Sequence, residues 1–546
     1  MRISEKIGGA GEGHDINTQI KGGETLKKQL AVIIGAILAI SAVAAIPAMA
    51  NASDWQQFQK DEANVGIVNE KILGRSVAWD AYTHTDPWNM AGIDVVPIVA
   101  GDNVYVLDAF GYIWSFDAVT GAENGKKSYN SLTGPPYFQL STPAYGDGKV
   151  FFGMSSGAKK GHVFAVNAND VTSKIWERTI NESEQINTPI TYDNGKIYFG
   201  TWNGSMCDTY SGSYYCLDAL NNGNEIWNFS AGPGNGYYWA GACIIGDYII
   251  FGDDLGNITV LDKNTGALID QANIRNVDPN AASIRSSVTC NATYHNATCG
   301  RVYFTDGTVC GSPLTGRLWA YDFNTTTGKL SYAWHTTLNT LSKSTPVVHS
   351  GRIYVGDGSF QANGRLYSIY ESNGTIEWYY QTPDNGGTGN PGIMASPVIS
   401  VDGDDLYIYF TTNCENGRLY CINESGNLCW YYEPSESTSG GEYILQGVAV
   451  YNNTAGDARV FFGNDRGMLY ALDKGMCGDE IDDGIIRTDD ADLVYDVAWN
   501  VPGKTLISQW AADVNCDGII RTGDADLIYD VAWNVPDKTL NCCCDG

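Results

Sequence analysis

The chain has 546 residues and a formal net charge of −29, from 62 acidic and 33 basic side chains. So acidic a surface repels phosphate backbones and anionic headgroups, which excludes nucleic acid as an electrostatic partner and excludes charge-driven attachment to an anionic membrane. The length accommodates one large and one small domain.

Leu30 to Ala50 is an apolar run that follows Lys27 and Lys28 and ends in Ala48-Met49-Ala50, a small-x-small cleavage pattern. Residues 1–50 therefore read as a secretory signal with a long polar lead, and membrane association is expected only if this run is retained as an anchor. Eleven Asn-x-Ser/Thr sequons, from Asn51 to Asn452, and 14 cysteines fit an exported, glycosylated chain in an oxidising, secreted or cell-surface location. The close pairs Cys207 with Cys216, Cys290 with Cys299, and Cys414 with Cys421 have spacings that suit clips across hairpins. None has the C-x-x-C spacing of a zinc ribbon or a haem site, and the connectivity stays open.

From Val95 to Asp473 one pattern recurs: a short apolar strand, a Gly or Asp turn, a Val/Ile-Tyr/Phe strand, another glycine, and a strand ending near Asp or Asn. The turn glycines Gly101, Gly148, Gly195, Gly246, Gly300, Gly351, Gly403 and Gly456 are 47, 47, 51, 54, 51, 52 and 53 residues apart, so eight units are present. Within one unit Lys196–Gly200, Tyr214–Ala219 and Glu225–Ser230 alternate at strand period. Repeats of this length, each with several strands, predict an all-β, eight-bladed β-propeller over residues 51–473. Most units end in a tryptophan strand, at Trp176, Trp227, Trp334, Trp378 and Trp430, but the eighth stops at Asp473 without one. Arg75 to Thr83, centred on Trp79, is the spare strand that would complete the last blade and remove its open edge.

The tryptophan placement, with Phe116–Gly121, Leu261–Gly266, Tyr370–Trp378 and the lead-in Asp54–Gly66, resembles the docking motif of pyrroloquinoline-quinone-type propellers. Units one and four lack the tryptophan and carry Lys126–Tyr129 and Leu268–Asp270 there, so looser contacts are expected at those blades. The resemblance implies either quinone-dependent dehydrogenases or non-catalytic relatives such as the outer-membrane assembly lipoprotein. Its enzymes have adjacent cysteines beside the cofactor, with a carboxylate base and a calcium site. Here the only adjacent cysteines are Cys542, Cys543 and Cys544, beyond the repeats, which points away from an enzyme.

Other catalytic patterns are no stronger. The six histidines are isolated, Gly232–Gly236 lacks the lysine of a phosphate loop, and the pairs Asp253-Asp254 and Asp404-Asp405 sit at strand turns. No catalytic residue is assigned. Trp202, Tyr237, Tyr238 and Trp239, near Tyr210, Tyr214 and Tyr215, gather aromatic rings beside the third and fourth units, where they either fill the space between blades or stack on a glycan or protein ligand.

The last seventy residues or so repeat a phrase. Gly484–Leu506 and Gly518–Leu540 match at 20 of 23 positions, 34 residues apart, and each begins at the glycine of an acidic loop and runs into an amphipathic stretch. In the second loop Asp513, Asn515, Asp517, the Ile519 carbonyl and Asp524 supply hard oxygens at the spacing calcium requires. The first loop offers Asp479, Asp483, the Ile485 carbonyl and Asp490 but has Ile481 at the third position, so weaker binding is expected. Paired calcium loops, each followed by a single helix, resemble the type I dockerin, and residues 474–546 read as a small α-helical, dockerin-like calcium domain. The resemblance implies a cohesin-bearing partner, with Thr488, Asp489, Thr522 and Gly523 as contact candidates. The expectation is an exported, non-catalytic propeller scaffold attached through this module. The alternatives are a secreted quinone-dependent oxidoreductase or a carbohydrate-active component of an extracellular assembly.

Overall fold

The computed structural model describes most of residues 54–540. Residues 1–53 and 541–546, the segments 70–75, 84–91, 130–138, 157–159, 308–314, 359–363, 384–390, 403–404, 435–442, 454–457, 481–484, 507–508 and 516–518, and a few single positions lie outside the described residues. The expected leader, Ile481, Asp483, Asp517 and Cys542–Cys544 fall in those segments.

Eight antiparallel sheets follow one another along the chain. Their inner strands, for blades 1 to 8, are Ile98–Ala100, Ala144–Gly146, Thr191–Asp193, Cys243–Ile245, Thr289–Asn296, Val347–His349, Val398–Asp402 and Ala449–Asn452. The repeat glycines mark the hairpin after the inner strand. Asp147-Gly148, Asn194-Gly195 and Ser350-Gly351 each place two consecutive residues at positive φ, between 46° and 77°, as the twist of a tight hairpin demands. The last blade closes as the sequence requires: Ser76–Tyr82 pairs antiparallel with Met468–Asp473, with Trp79 opposite Ala471.

The tryptophans join the blades by a common device. Five outer-strand indoles lie over a turn glycine of the next blade and donate their Nε1–H to a carbonyl there: Trp79 to Ala118 at 3.2 Å, Trp176 to Ala219 at 3.1 Å, Trp227 to Lys263 at 2.9 Å, Trp334 to Glu371 at 3.3 Å and Trp378 to Glu424 at 3.0 Å, whereas the buried Trp430 Nε1–H has no acceptor among the described residues. A Cβ on Gly266 would lie 2.7 Å from the Trp227 ring, so only glycine admits the indole. Trp227→Ala removes a buried indole from a packed junction, and the expected loss is about 3–5 kcal/mol of unfolding free energy, read from the urea midpoint.

The junctions without tryptophan are filled by tyrosine, not left loose. From blade 1, Tyr105 and Tyr129 donate to the Ala168 and Val171 carbonyls of blade 2 at 2.9 and 3.1 Å. From blade 4, Tyr248 reaches the Thr326 carbonyl of blade 5 at 3.0 Å. A disulfide between Cys243 and Cys290 ties the inner strands of the same two blades. It also corrects the hairpin clips, because Cys290 bonds across blades while Cys216, Cys299 and Cys421 keep their thiols.

The Asp54–Gly66 lead-in is not a docking motif. It runs along the inner strands, and its carbonyls accept from their free N–H groups: Trp55 from Val99, Gln56 from Tyr145, Glu62 from Ile244, Ala63 from Cys290 and Gly66 from Ile399. Gln57 exchanges two bonds with the Tyr192 backbone, and Asn64 Nδ2 donates to the Ala242 and Val288 carbonyls at 2.8 and 2.7 Å. Ile67–Val68 then pairs parallel to Val398–Asp402. One segment thus satisfies inner edges of blades 1, 2, 3, 4, 5 and 7, groups that would otherwise be unpaired inside the ring.

After Asp473 the chain forms α1 (Thr488–Ala498), the short α2 (Gln509–Ala512) and α3 (Thr522–Ala532). α1 and α3 pack together around Ala491, Val494, Ala525 and Ile528. The duplication is reproduced in space: Tyr495 donates to Asp526 and Tyr529 to Asp492, a reciprocal pair that sets the helices antiparallel. α2 rests against the outer strand of blade 7, Leu428–Tyr432.

Candidate functional site

A cavity open to solvent lies at the inner strands, with a volume of about 380 Å³ and Phe58 of the lead-in segment in its wall. Its lining follows from the repeat. Each blade has one residue four positions before its inner strand, Asp94, Leu140, Asn187, Trp239, Arg285, Lys343, Met394 and Leu445 for blades 1 to 8, and all but Asp94 and Asn187 line the cavity. Two positions before the strand stand Thr142, Ser287, Thr345 and Ser396 among others. Three of these hydroxyls bind the preceding blade: Thr142 Oγ1 accepts from Val96 N at 3.2 Å, Thr345 Oγ1 from Ser287 N at 3.1 Å and Ser396 Oγ from Thr345 N at 2.9 Å. The inner ring is thereby held, and the outer of the two registers is free to carry chemistry.

Blades 4, 5 and 6 give that register an aromatic and cationic character. Lys343 Nζ lies 4.2 Å from the Trp239 ring centroid, and Arg285 stacks on Tyr238 at 4.9 Å. Trp239 sits at φ +64°, a conformation rarely taken by an L residue, and its buried Nε1–H has no acceptor among the described residues. Arg285 Nε donates to Asp254 Oδ1 at 2.7 Å, and the same carboxylate accepts from Trp202 Nε1 at 3.0 Å and from Thr209 Oγ1. Burial, reinforced by the Arg285 charge and opposed by Asp254, lowers the Lys343 ammonium to about 7. Across the ring Asp94 shares a hydrogen bond with Asp465 of blade 8, and burial raises both carboxyls.

The Lys343 shift has a sign that can be tested. A folded-state value near 7, below the ordinary 10.5, means the folded chain holds fewer protons than the unfolded chain between those values. Stability therefore rises with pH across that window. Lys343→Met is expected to raise the melting temperature below pH 7 and to lose that advantage as the pH approaches 10.5, in parallel scans of the two proteins.

Among the four aromatic candidates, Trp202 and Tyr237 are 6 % and 1 % exposed, and they fill space between blades instead of offering a platform for sugars. Tyr237 packs edge-on to Tyr214 and Phe251. Trp239 lines the cavity, and Tyr238 stacks against Arg285 beside it. Asp253 caps its own turn, accepting from Leu255 N and Asn257 N at 3.0 and 2.8 Å. Arg285 and Lys343 carry no motif of their own in the sequence, although both share the register of Trp239.

In the tail, Asp479, Glu480, Asp490, Asp513 and Asp524 are buried. Asp490 closes the first loop by accepting from Glu480 N at 2.8 Å and Arg487 N at 2.7 Å, and Asp524 repeats the second contact with Arg521 N at 2.8 Å. Asn515, Ile485 and Ile519 are exposed beside these loops. Among the described residues no three acidic, histidine or cysteine side chains converge as a metal site; Asp483 and Asp517 lie outside them. Of the contact candidates, Asp489 and Gly523 are exposed and Thr488 and Thr522 half-buried, at the first turns of α1 and α3.

Comparison with solved structures supports the ring. The europium-containing methanol dehydrogenase aligns over 76% of this chain and 90% of its own at a TM-score of 0.57 and 12% identity. Quinohemoprotein alcohol dehydrogenase ADHIIG from Pseudomonas putida HK5 aligns over 78% and 81% at 0.56 and 12%, and that from Comamonas testosteroni over 77% and 80% at 0.57 and 12%. Such identities establish a shared fold alone. No curated protein sequence matches the chain. A family profile described as outer membrane protein assembly factor BamB matches residues 62–267, 141–329 and 291–475, three overlapping passes that step around the blades and run from the lead-in segment to the end of the last one. A repeat that recurs in register around a closed ring, recognised over that whole span, places the chain in the BamB family of pyrroloquinoline-quinone-like repeat propellers.

Proposed function

We propose that this chain is an exported, non-catalytic propeller that presents a binding surface, and that its duplicated tail, ordered by calcium, attaches it to a cohesin-bearing partner. The observation that carries the reading is the tail's paired architecture. Two equivalent loop-and-helix units bury five carboxylates in a module of about sixty residues, and buried carboxylates demand a cation or a full set of donors. Asp513, Asn515, the Ile519 carbonyl and Asp524 would hold the stronger ion, with Asp517. Asp479, Asp490 and the Ile485 carbonyl would hold the weaker one, with Asp483. Calcium there supplies charge neutralisation and order, not chemistry. The purified chain should bind an immobilised cohesin domain in calcium and leave it on chelation. Retention after chelation would defeat the proposal, as would no binding at all.

The channel supports the non-catalytic half. Trp239, Lys343 and Arg285 fit one face of a planar anion, and binding of such a molecule is the ligand class this cavity favours. The metal and base of a quinone dehydrogenase fit less well. The described lining holds no carboxylate and no cysteine, and the neighbouring Asp254 is engaged by Arg285 and Trp202. We therefore derive no oxidative step. A purified propeller that took up added quinone and oxidised an alcohol would reverse this assignment.

A further inference from the structure

The helices of the tail end in two tryptophans that nothing within the described chain covers. Trp499 and Trp533 are each 72 % exposed, the highest value among the exposed large hydrophobic side chains. They occupy the same position of the two repeats, at the last turns of α1 and α3. The backbone around each is fixed. Asn500 and Asn534 take positive φ, 55° and 53°, and the next residue folds back, with Val501 N donating to Asp496 O and Val535 N to Asp530 O, both at 2.8 Å. This 6→1 bond, with Asn500 N to Val497 O and Asn534 N to Val531 O at 2.9 Å, closes each helix and stops it at one orientation. Lys504 and Lys538 pair with Asp496 and Asp530 at 3.1 and 2.7 Å, tying the outgoing chain to the same turn. An indole displayed on so rigid a corner loses little freedom when it is buried by a partner.

The surroundings indicate what that partner is like. Residues 477–540 carry 14 acidic and 4 basic side chains, and the two lysines nearest the tryptophans are already paired. An apolar ring inside an acidic field is complementary to an apolar pocket rimmed by lysine or arginine. Tryptophan is also the residue most enriched among the few that dominate protein interfaces. We infer that Trp499 and Trp533 are the anchors by which the tail docks on its protein partner, each entering an apolar, basic-rimmed pocket of the partner domain. The inference rests on the attachment proposed above and moves its energetic centre. Thr488, Asp489, Thr522 and Gly523 lie at the opposite, first turns of the same helices and become peripheral contacts.

The test is a calorimetric titration of the full calcium-loaded chain with a purified cohesin domain, repeated for Trp499→Ala/Trp533→Ala and for Thr488→Ala/Thr522→Ala. The tryptophan pair is expected to weaken binding by about thirtyfold or more and the threonine pair by severalfold at most, with added salt weakening the wild-type complex. Unchanged calcium-dependent melting of the tryptophan variant shows that its tail is folded, and partial recovery in Trp499→Phe/Trp533→Phe ties the loss to the aromatic ring. If the wild-type chain binds and the tryptophan variant binds equally well, the anchors are wrong and the attachment stands. If the wild-type chain does not bind, the attachment itself fails and takes the anchors with it. Self-association of the wild-type chain that disappears in the tryptophan variant would make a second copy the occupant and overturn the inference.

Discussion

A chain lacking residues 54–83 should be made as β-rich protein but should lose its cooperative thermal transition, bind hydrophobic dyes and be cut rapidly by protease. The deletion removes two devices together. Without Ser76–Tyr82 the strand Met468–Asp473 becomes an open edge, and the docking of Trp79 on blade 1 disappears. Without the lead-in segment, Trp55 leaves a fully buried site, and the inner N–H groups of Val99, Tyr145, Ile244, Cys290 and Ile399 lose their acceptors. Each buried tryptophan is worth about 3–5 kcal/mol. Each stranded amide costs about 1–3 kcal/mol. The sum matches or exceeds the roughly 5–15 kcal/mol that separates a folded domain from its unfolded ensemble. Trp79→Ala, which keeps the backbone pairing, should lower the melting temperature while preserving a cooperative transition. A deletion variant that melts cooperatively at the wild-type temperature would mean that closure and channel filling contribute nothing to the ring.

What is legible in the amino acids is whatever the repeat repeats. Hairpin glycines recur because a tight turn needs left-handed residues, and outer-strand tryptophans recur because Trp79, Trp176, Trp227, Trp334 and Trp378 each lie on a glycine of the next blade. Trp79 is legible because it fits the gap in that series. The channel-filling segment is not, since a strand threaded through a ring has no second face to show. Its signature is instead a set of buried amides, Gln57, Gln59 and Asn64, with positive φ at Gln59, Lys60 and Asn64. Proximity along the chain misleads for the cysteine pairing. Cys243 and Cys290 are 47 residues apart, close to one blade repeat, and such spacing brings equivalent positions of neighbouring inner strands together. The same register logic groups Trp239, Arg285 and Lys343, because each stands four residues ahead of its inner strand, a spacing that the repeat period carries from blade to blade. Glu480 escapes a motif reading because it follows a loop's first residue, where no side-chain ligand is expected, and yet it is fully buried.

Calcium should move one transition of the full chain and leave the other in place. α1 and α3 share a small core, so the tail gains little from apolar burial and depends on whatever neutralises its buried carboxylates. A ligand that binds only the folded tail adds about 4 kcal/mol once its concentration reaches about a thousand times its dissociation constant. In a module of this size that is a displacement on the order of tens of degrees. Scanning calorimetry should therefore show a large ring transition insensitive to chelator and a smaller one that falls steeply when calcium is withdrawn. Asp513→Ala with Asp524→Ala should abolish the calcium shift, because both belong to the loop with the complete oxygen set. Asp479→Ala with Asp490→Ala should cost less, since Ile481 leaves that loop one ligand short. Equal losses from the two pairs would mean that the loops act as one coupled site. A smaller transition that ignores chelator would mean that the buried carboxylates are satisfied by protein donors alone, and calcium would then have no place in the tail.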